Sequence, residues 1–122
     1  STCTLAKVPL IRGDWLQPGQ HLDLIGAYTP DMREADNTAL QRAAVFVDSR
    51  ATTLGHIGEL MIPIAEGAII EADIRGDLHD LVAGRAGRRT AAEITLFKNG
   101  GGAHLDLMTA RMILARWHAA QK

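Results

Sequence analysis

Short apolar runs alternate with amphipathic segments along the 122-residue chain. Three runs, at residues 21–27, 43–49 and 93–99, are rich in β-branched or aromatic residues. The middle one is continuously apolar over residues 43–47, which is typical of a strand buried on both faces of a parallel sheet. Residues 1–5 could supply the tail of a fourth strand. The pattern therefore predicts three or four short strands.

The segments that separate these strands have helical spacing. Asp36 is a candidate N-cap for the first helix, and Gly84 is a candidate for the end of a short third helix. The last helix is apolar over much of its circumference, so we expect it to be buried or to bridge two bodies. The predicted helices span residues 36–43, 50–62, 76–83 and 103–119.

Strands that alternate with helices indicate an α/β fold with a parallel sheet. Three or four strands make a thin sheet, because a doubly wound nucleotide-binding domain has two halves and carries Gly-x-Gly-x-x-Gly in the first. The glycines at residues 100–102 lack that spacing, and the glycine- and arginine-rich residues 84–89 follow no predicted strand. The chain therefore looks like half of a two-part fold.

Composition argues against several classes of partner. The net charge is −1 and aromatic residues make up 4%, so neither nucleic acid nor a membrane surface is an expected partner. No apolar run approaches the roughly 20 residues that span a bilayer. The single cysteine, Cys3, fits a reducing compartment such as the cytoplasm. The five histidines lack metal-ligand spacing, so no metal is expected.

Several weak motifs follow one another in a specific order. Residues 13–21 read G-x-W-x-x-P-G-x-H, residues 24–27 form an apolar-apolar-Gly-Ala strand end, and residues 30–34 read P-x-x-R-E. GEL at 58–60 and EITLFKNGGGAHLD at 93–106 come later. On these residues the chain resembles the C-terminal portion of the ornithine cyclodeaminase and mu-crystallin family, over nearly its whole length.

The resemblance implies a division of the chain. Residues 1–102 would be the C-terminal half of an NAD(P)-binding Rossmann-type domain. Residues 103–122 would form a helix that returns toward a substrate and dimerisation domain outside this chain. The chain would then be a fragment of a two-domain, homodimeric, cytoplasmic protein. It should be inactive alone, because the pyrophosphate loop and the substrate-binding groups would lie upstream.

The resemblance also implies a cofactor site. Thr4 and Leu5 match a strand end that approaches the cofactor. Ile25 matches an apolar residue that packs on the nicotinamide, and Gly26 follows it. Asn99 matches a small polar position, usually serine, near the same ring. The cofactor would be NAD or NADP, and the residue that discriminates between them would lie upstream.

Position 28 departs from the pattern of true ornithine cyclodeaminases. Those enzymes resemble one another in having an aspartate there, placed for acid/base work on the substrate nitrogen. This chain has Tyr28, and a phenol is a poor base at neutral pH. The departure favours plain hydride transfer and leaves the catalytic residue unassigned. The sequence leaves open whether Tyr28 lines the active site or merely caps the sheet.

The implied activity is hydride transfer at the C–N bond of an amino acid or a cyclic imine. One version converts ornithine to proline and ammonia, and the other reduces a ketimine such as a pyrroline carboxylate. The alternative is a non-catalytic protein of mu-crystallin type that binds NADPH or another small molecule.

Other charged residues are expected to have structural roles. We expect Asp48 to cap the following helix rather than to belong to a site. Arg33 and Glu34 are expected to form a local ion pair or to favour a helix start. The arginines of residues 83–89 are expected to be solvated rather than to bind phosphate.

Overall fold

Four parallel strands form the centre of the computed structural model, which describes residues 1–121. Their order across the sheet is β1-β4-β2-β3. Thr2 forms a further parallel bridge with Leu24, so the opening segment lies beside β1, as the sequence suggested. The α/β fold is therefore confirmed. The strands are β1 (His21–Leu24), β2 (Ala44–Val47), β3 (Ile74–Gly76) and β4 (Thr95–Lys98).

Five α-helices surround or extend this sheet. Asp36 caps the first helix as predicted, because its carboxylate accepts a 2.8 Å hydrogen bond from the Ala39 N–H. Gly84 follows the fourth helix with a φ of 69°, the left-handed conformation that glycine adopts readily. The helices are α1 (Asn37–Arg42), α2 (Arg50–Thr53), α3 (Gly58–Ala65), α4 (Leu78–Val82) and α5 (Ala103–Ala120).

Two elements differ from the sequence-based expectation. Strand β3 was not predicted, because it has three residues and only Ile74 and Gly76 are buried, too short a run to show a period. The single helix expected over residues 50–62 is broken into α2 and α3. Gly55 lies in the break with a φ of 73°, a conformation that ends a helix.

The apolar core lies against the sheet and is centred on β2, whose four residues are all buried. Leu96 from the neighbouring strand β4, Leu24 from β1 and Leu60 from α3 are fully buried. Each pair of neighbouring strands is parallel, so all four strands end at the same edge of the sheet.

Helix α5 is exposed along its length, so burial, one of the two expectations for it, does not hold within residues 1–121, and the expectation that it bridges two bodies stays a prediction. Within residues 1–121 no α5 residue is buried, and Leu105 alone among its large apolar side chains is half-buried. No helix in that part of the chain has the length and apolar character that a membrane crossing requires. Lys122, the last residue of the expected 103–122 segment, lies outside the described residues. The exposed apolar side chains of α5 are Leu107, Met108, Met112, Ile113, Leu114 and Trp117.

Arg88 is exposed, as expected for this arginine-rich loop, but its guanidinium also bonds to the ends of two strands. Its guanidinium donates to the carbonyl oxygens of Gly19 (2.8 Å), Gln20 (3.1 Å) and Glu93 (2.7 Å). It also donates to the Thr95 hydroxyl at 2.9 Å. These acceptors lie at the amino ends of β1 and β4, so Arg88 ties together two strands at the edge opposite their carboxyl ends.

Replacing Arg88 with lysine is expected to lower the free energy of unfolding by about 2 kcal/mol. A single ammonium cannot reproduce the planar fork that serves several acceptors at once, and net losses near 1 kcal/mol for each missing bond are typical. The measurement is urea unfolding of the protein. The matched control is Arg89→Lys, because Arg89 is exposed like Arg88 but its guanidinium makes no hydrogen bond within residues 1–121. Equal midpoints for the two variants would contradict this role for Arg88.

Candidate functional site

The carboxyl ends of neighbouring parallel strands form one edge of the sheet, here called the carboxyl edge. It comprises residues 3–5 after the Thr2 bridge, residues 25–28 after β1, Asp48 after β2, and residues 99–101 after β4. Ligands of open α/β sheets bind at such an edge. The fold therefore brings all five residues of the expected cofactor site, and position 28, onto adjacent strand ends. Their individual roles stay predictions.

Gly26 marks the place where two backbone segments come closest at this edge. A Cβ atom added to Gly26 would overlap the backbone nitrogen and the carbonyl oxygen of Thr4. Backbone atoms cannot rotate away as the end of a side chain can, so residue 26 must be glycine for Thr4 to lie against β1. The Gly-Ala strand end of the motif is thus a packing requirement.

Large side chains at the carboxyl edge point into solvent. Leu5 is 68% exposed, Ile25 is 40% exposed and Tyr28 is 60% exposed. Leu5 and Ile25 present apolar surface on neighbouring strand ends, which suits the face of a flat heteroaromatic ring. Tyr28 adds a phenolic hydroxyl that can donate or accept a hydrogen bond.

Asn99 closes the loop after β4 on itself. Its backbone N–H donates to the Leu24 carbonyl at 3.0 Å, and its side-chain oxygen accepts from the Gly101 N–H at 2.7 Å. Its side-chain NH2 has no hydrogen-bond partner among residues 1–121. The side chain therefore offers its NH2 as a donor at the carboxyl edge, while its oxygen already accepts from Gly101.

Asp48 joins two strand ends instead of capping helix α2, which corrects the expected role. Its carboxylate accepts from the Gly100 N–H at 2.8 Å and from the Ser49 N–H at 2.7 Å. The N-cap of α2 is Ser49, and no side chain caps that helix. Asp48 therefore holds the glycine loop after β4 against the end of β2.

Glu34 is fully buried and serves the backbone at the carboxyl edge. One of its oxygens accepts from the Thr4 N–H (2.7 Å) and the Thr4 hydroxyl (2.9 Å), and the other accepts from the Gly26 N–H (2.8 Å). Burial opposes its ionisation, but these hydrogen bonds favour the carboxylate more, so its pKa lies below the ordinary value. The expected ion pair with Arg33 is wrong, since Arg33 contacts Ala35, Asn37 and Glu66.

Two further buried charges lie behind Glu34. Glu59 accepts from the backbone N–H groups of Glu34 (2.7 Å) and Ala35 (2.9 Å), and Lys98 donates to the Leu24 carbonyl at 3.2 Å. Burial raises the pKa of Glu59 and lowers the pKa of Lys98, although the two opposite charges attract each other. The sequence assigned these residues no role. Their partners are backbone groups, which almost every residue carries, so no particular residue type in the sequence indicates the contact.

A cavity of about 480 Å³ lies beside the carboxyl edge, between β4, α4 and the start of α5. Phe97, Leu78 and Leu105 make much of its lining apolar, and two imidazoles, His79 and His104, also line it. Among the described residues, no group of three or more side chains could hold a metal ion.

Known proteins are similar to this chain in both sequence and fold. A Delta(1)-pyrroline-2-carboxylate reductase of Paracoccus denitrificans is 62% identical over 114 residues, which cover 93% of this chain and 36% of that protein. A ketimine reductase mu-crystallin of Rattus norvegicus is 32% identical over 120 residues, covering 98% of this chain and 36% of that protein. The chain thus spans about a third of the length of the curated relatives it matches.

A solved structure agrees with these relatives. The Thermococcus litoralis Delta(1)-pyrroline-2-carboxylate reductase, in complex with NADH and L-proline, superposes with a TM-score of 0.83 and 37% identity. The match covers 89% of this chain and 34% of that one. The sequence model of the Ornithine cyclodeaminase/mu-crystallin family matches residues 1–121. Because this match covers nearly the whole chain, the chain belongs to the ornithine cyclodeaminase/mu-crystallin family.

Proposed function

We propose that this chain is the C-terminal part of a longer NAD(P)-dependent imine reductase. The observation that carries the proposal is the carboxyl edge. It gathers Thr4, Gly26 and Asn99 on three neighbouring strand ends and leaves Leu5 and Ile25 exposed as an apolar surface. The Paracoccus denitrificans reductase, at 62% identity, supports the same reaction class.

The residues present fit the nicotinamide end of the cofactor. Leu5 and Ile25 would pack on the ring, and the free side-chain NH2 of Asn99 would donate to a polar substituent of it. Thr4 and Gly26 would set how closely the backbone approaches. The bound cofactor would supply the hydride, and this chain would orient it. Either NADH or NADPH suits these contacts, because the two cofactors share the nicotinamide and differ only at the 2′ position of the adenosine ribose.

The proposed substrate is a cyclic imine that carries a carboxylate, such as a pyrroline carboxylate. Position 28 favours imine reduction over ornithine cyclodeamination, because Tyr28 offers a hydrogen-bond donor where the cyclodeaminases have a carboxylate. The Thermococcus litoralis relative, described with NADH and L-proline, binds the product of such a reduction.

Turnover by the full-length protein that contains this chain tests the proposal. Oxidation of NADH or NADPH is followed by absorbance with Delta(1)-pyrroline-2-carboxylate. Release of proline and ammonia from ornithine is followed separately with NAD⁺ present, because cyclodeamination regenerates NAD⁺ and is redox-neutral overall. Imine-dependent oxidation of either cofactor is the expected result. Turnover of ornithine alone would favour the cyclodeaminase reaction. Tight cofactor binding without turnover of any imine or amino acid would favour the non-catalytic, mu-crystallin-type binding protein.

Replacing Tyr28 with phenylalanine is expected to lower kcat/KM for imine reduction about tenfold, the effect of losing one hydrogen bond of ordinary strength in the transition state. Steady-state kinetics at saturating cofactor measure the change. Because Tyr28 is 60% exposed, the thermal midpoint should match that of the unsubstituted protein. An unchanged kcat/KM would place Tyr28 outside the active site.

We also infer that the remainder of the longer protein covers α5. The helix presents a row of exposed apolar side chains that nothing in residues 1–121 covers, and relatives about three times as long supply a candidate cover. A cytoplasmic homodimer is proposed for the full-length protein, with no nucleic-acid or membrane partner. Hydrogen exchange along α5 tests the cover, and rapid exchange in the full-length protein would exclude it. Light scattering measures the mass of the full-length protein and tests the homodimer.

A further inference from the structure

We infer that Glu34 is the positioning residue of the cofactor site: its buried carboxylate sets the spacing between the Thr4 and Gly26 backbones, and so sets the surface on which the nicotinamide lies. The inference rests on the proposed function, because it takes the carboxyl edge to be where the cofactor binds. Glu34 touches neither cofactor nor substrate and would act through the two segments that it holds.

The side chain of Glu34 bonds to two other segments at the carboxyl edge, and not to its own segment. Thr4 lies 30 residues before Glu34, and Gly26 lies eight residues before it. The carboxylate takes two donors from Thr4 and one from Gly26, all between 2.7 and 2.9 Å. One fully buried group therefore holds together the two strand ends that would approach the ring.

The backbones at Thr4 and Gly26 are already in contact, so their spacing is sensitive to any change in the groups that hold them. Gly26 has no room for a Cβ against Thr4. Backbone bonds from the Thr2 N–H to the Asp23 carbonyl and from the Ile25 N–H to the Thr2 carbonyl, both 2.9 Å, hold the segments together just before this point, so loss of the Glu34 bridge would change their spacing at Thr4 and Gly26 without detaching them. Leu5 and Ile25, the exposed side chains proposed to pack on the ring, each adjoin one of the bridged residues. A change in the Thr4-to-Gly26 spacing would therefore move both apolar contacts relative to each other.

The bridge requires a carboxylate because it accepts three donors and donates none. A glutamine at position 34 keeps the volume of the side chain but replaces one acceptor with an NH2 group. That NH2 would face either the Gly26 N–H or the Thr4 donors, and two donors repel each other. Glu34→Gln therefore breaks one arm of the bridge with little change in packing.

The test measures the Kd of NADH and NADPH for the full-length protein by nicotinamide fluorescence. Glu34→Gln is expected to raise the Kd of the better-bound cofactor at least tenfold and to reduce the fluorescence enhancement of the bound ring. The control is Asp36→Ala, which removes a carboxylate that accepts from the backbone N–H groups of Gly13 and Ala39, away from the edge. It should lower the thermal midpoint but leave the Kd within twofold.

The outcomes separate the inference from the proposed function. If the unsubstituted protein binds neither NADH nor NADPH, the proposed function fails and the inference falls with it. If it binds cofactor and reduces an imine, but Glu34→Gln and Asp36→Ala change the Kd equally, only the inference is overturned. Should Glu34→Gln fail to fold, Thr4→Val removes the hydroxyl donor alone, and a Kd within the twofold range of the control would then overturn the inference.

Discussion

Replacing Gly26 with alanine is expected to lower the free energy of unfolding by about 3 kcal/mol and to abolish measurable cofactor binding. The added Cβ would overlap two backbone atoms of Thr4, so the opening segment would have to move away from β1. Overpacking of this kind typically costs 1–3 kcal/mol, and the upper end applies because backbone cannot adjust as a side chain does. Moving Thr4 would also break the Glu34 bridge. Urea unfolding and a fluorescence titration with NADH and NADPH measure the two effects.

The matched control for this prediction is Gly87→Ala, which adds the same single carbon. Nothing lies within 4 Å of a Cβ at position 87, and its φ is not positive. We expect its midpoint and its cofactor affinity to match those of the unsubstituted protein. If the two alanine variants unfold at the same urea concentration, the close approach of Gly26 to Thr4 is not a structural requirement.

The sequence predicted the strand ends better than it predicted what holds them together. Buried strands can be recognised in a sequence as apolar runs, and parallel strands place their carboxyl ends at one edge of the sheet. The resemblance then assigned Thr4, Ile25 and Asn99 to that edge, and the fold brings them together there. By contrast, β3 has three residues on the sheet border, too few for a periodic pattern to form.

The carboxylates that brace the edge could not be predicted from the sequence. Glu34 and Glu59 bond to backbone N–H groups, and every residue except proline carries such a group, so their partners leave no mark in the sequence. Glu34 was expected to pair with the adjacent Arg33, the commonest local arrangement of opposite charges. The fold instead buries Glu34 beneath Thr4 and Gly26, because chain segments far apart in sequence meet there.

For helix α5 the sequence predicted the element itself but not its surroundings. Its apolar side chains indicated a helix that is either buried or bridges two bodies, since a helix that is apolar on several sides is normally covered. Nothing in residues 1–121 covers it. The pattern therefore supports the proposal that the remainder of a longer protein covers this helix.

Replacing Glu59 with alanine is expected to lower the free energy of unfolding by about 3–5 kcal/mol, the range for removing one member of a buried charged group. The change leaves the N–H groups of Glu34 and Ala35 without acceptors, opens a cavity, and deprives the buried Lys98 ammonium of its strongest attraction. Urea unfolding of the full-length protein near neutral pH measures the loss. Glu71, exposed on a short 3-10 helix, is the control, and its alanine variant should change stability by less than about 0.5 kcal/mol.

The pH dependence distinguishes the charge of Glu59 from its hydrogen bonds. Burial raises the folded-state pKa of Glu59 above its unfolded value, so the folded protein binds the proton more tightly. The associated stability is fully present below the unfolded pKa and is lost as pH rises through the folded pKa. Glu59→Gln cannot ionise, so its stability should fall less steeply across that window, while one missing acceptor costs about 1–2 kcal/mol below it. Parallel stability curves for Glu59→Gln and the unsubstituted protein would mean that Glu59 does not titrate there and that its hydrogen bonds alone stabilise the fold.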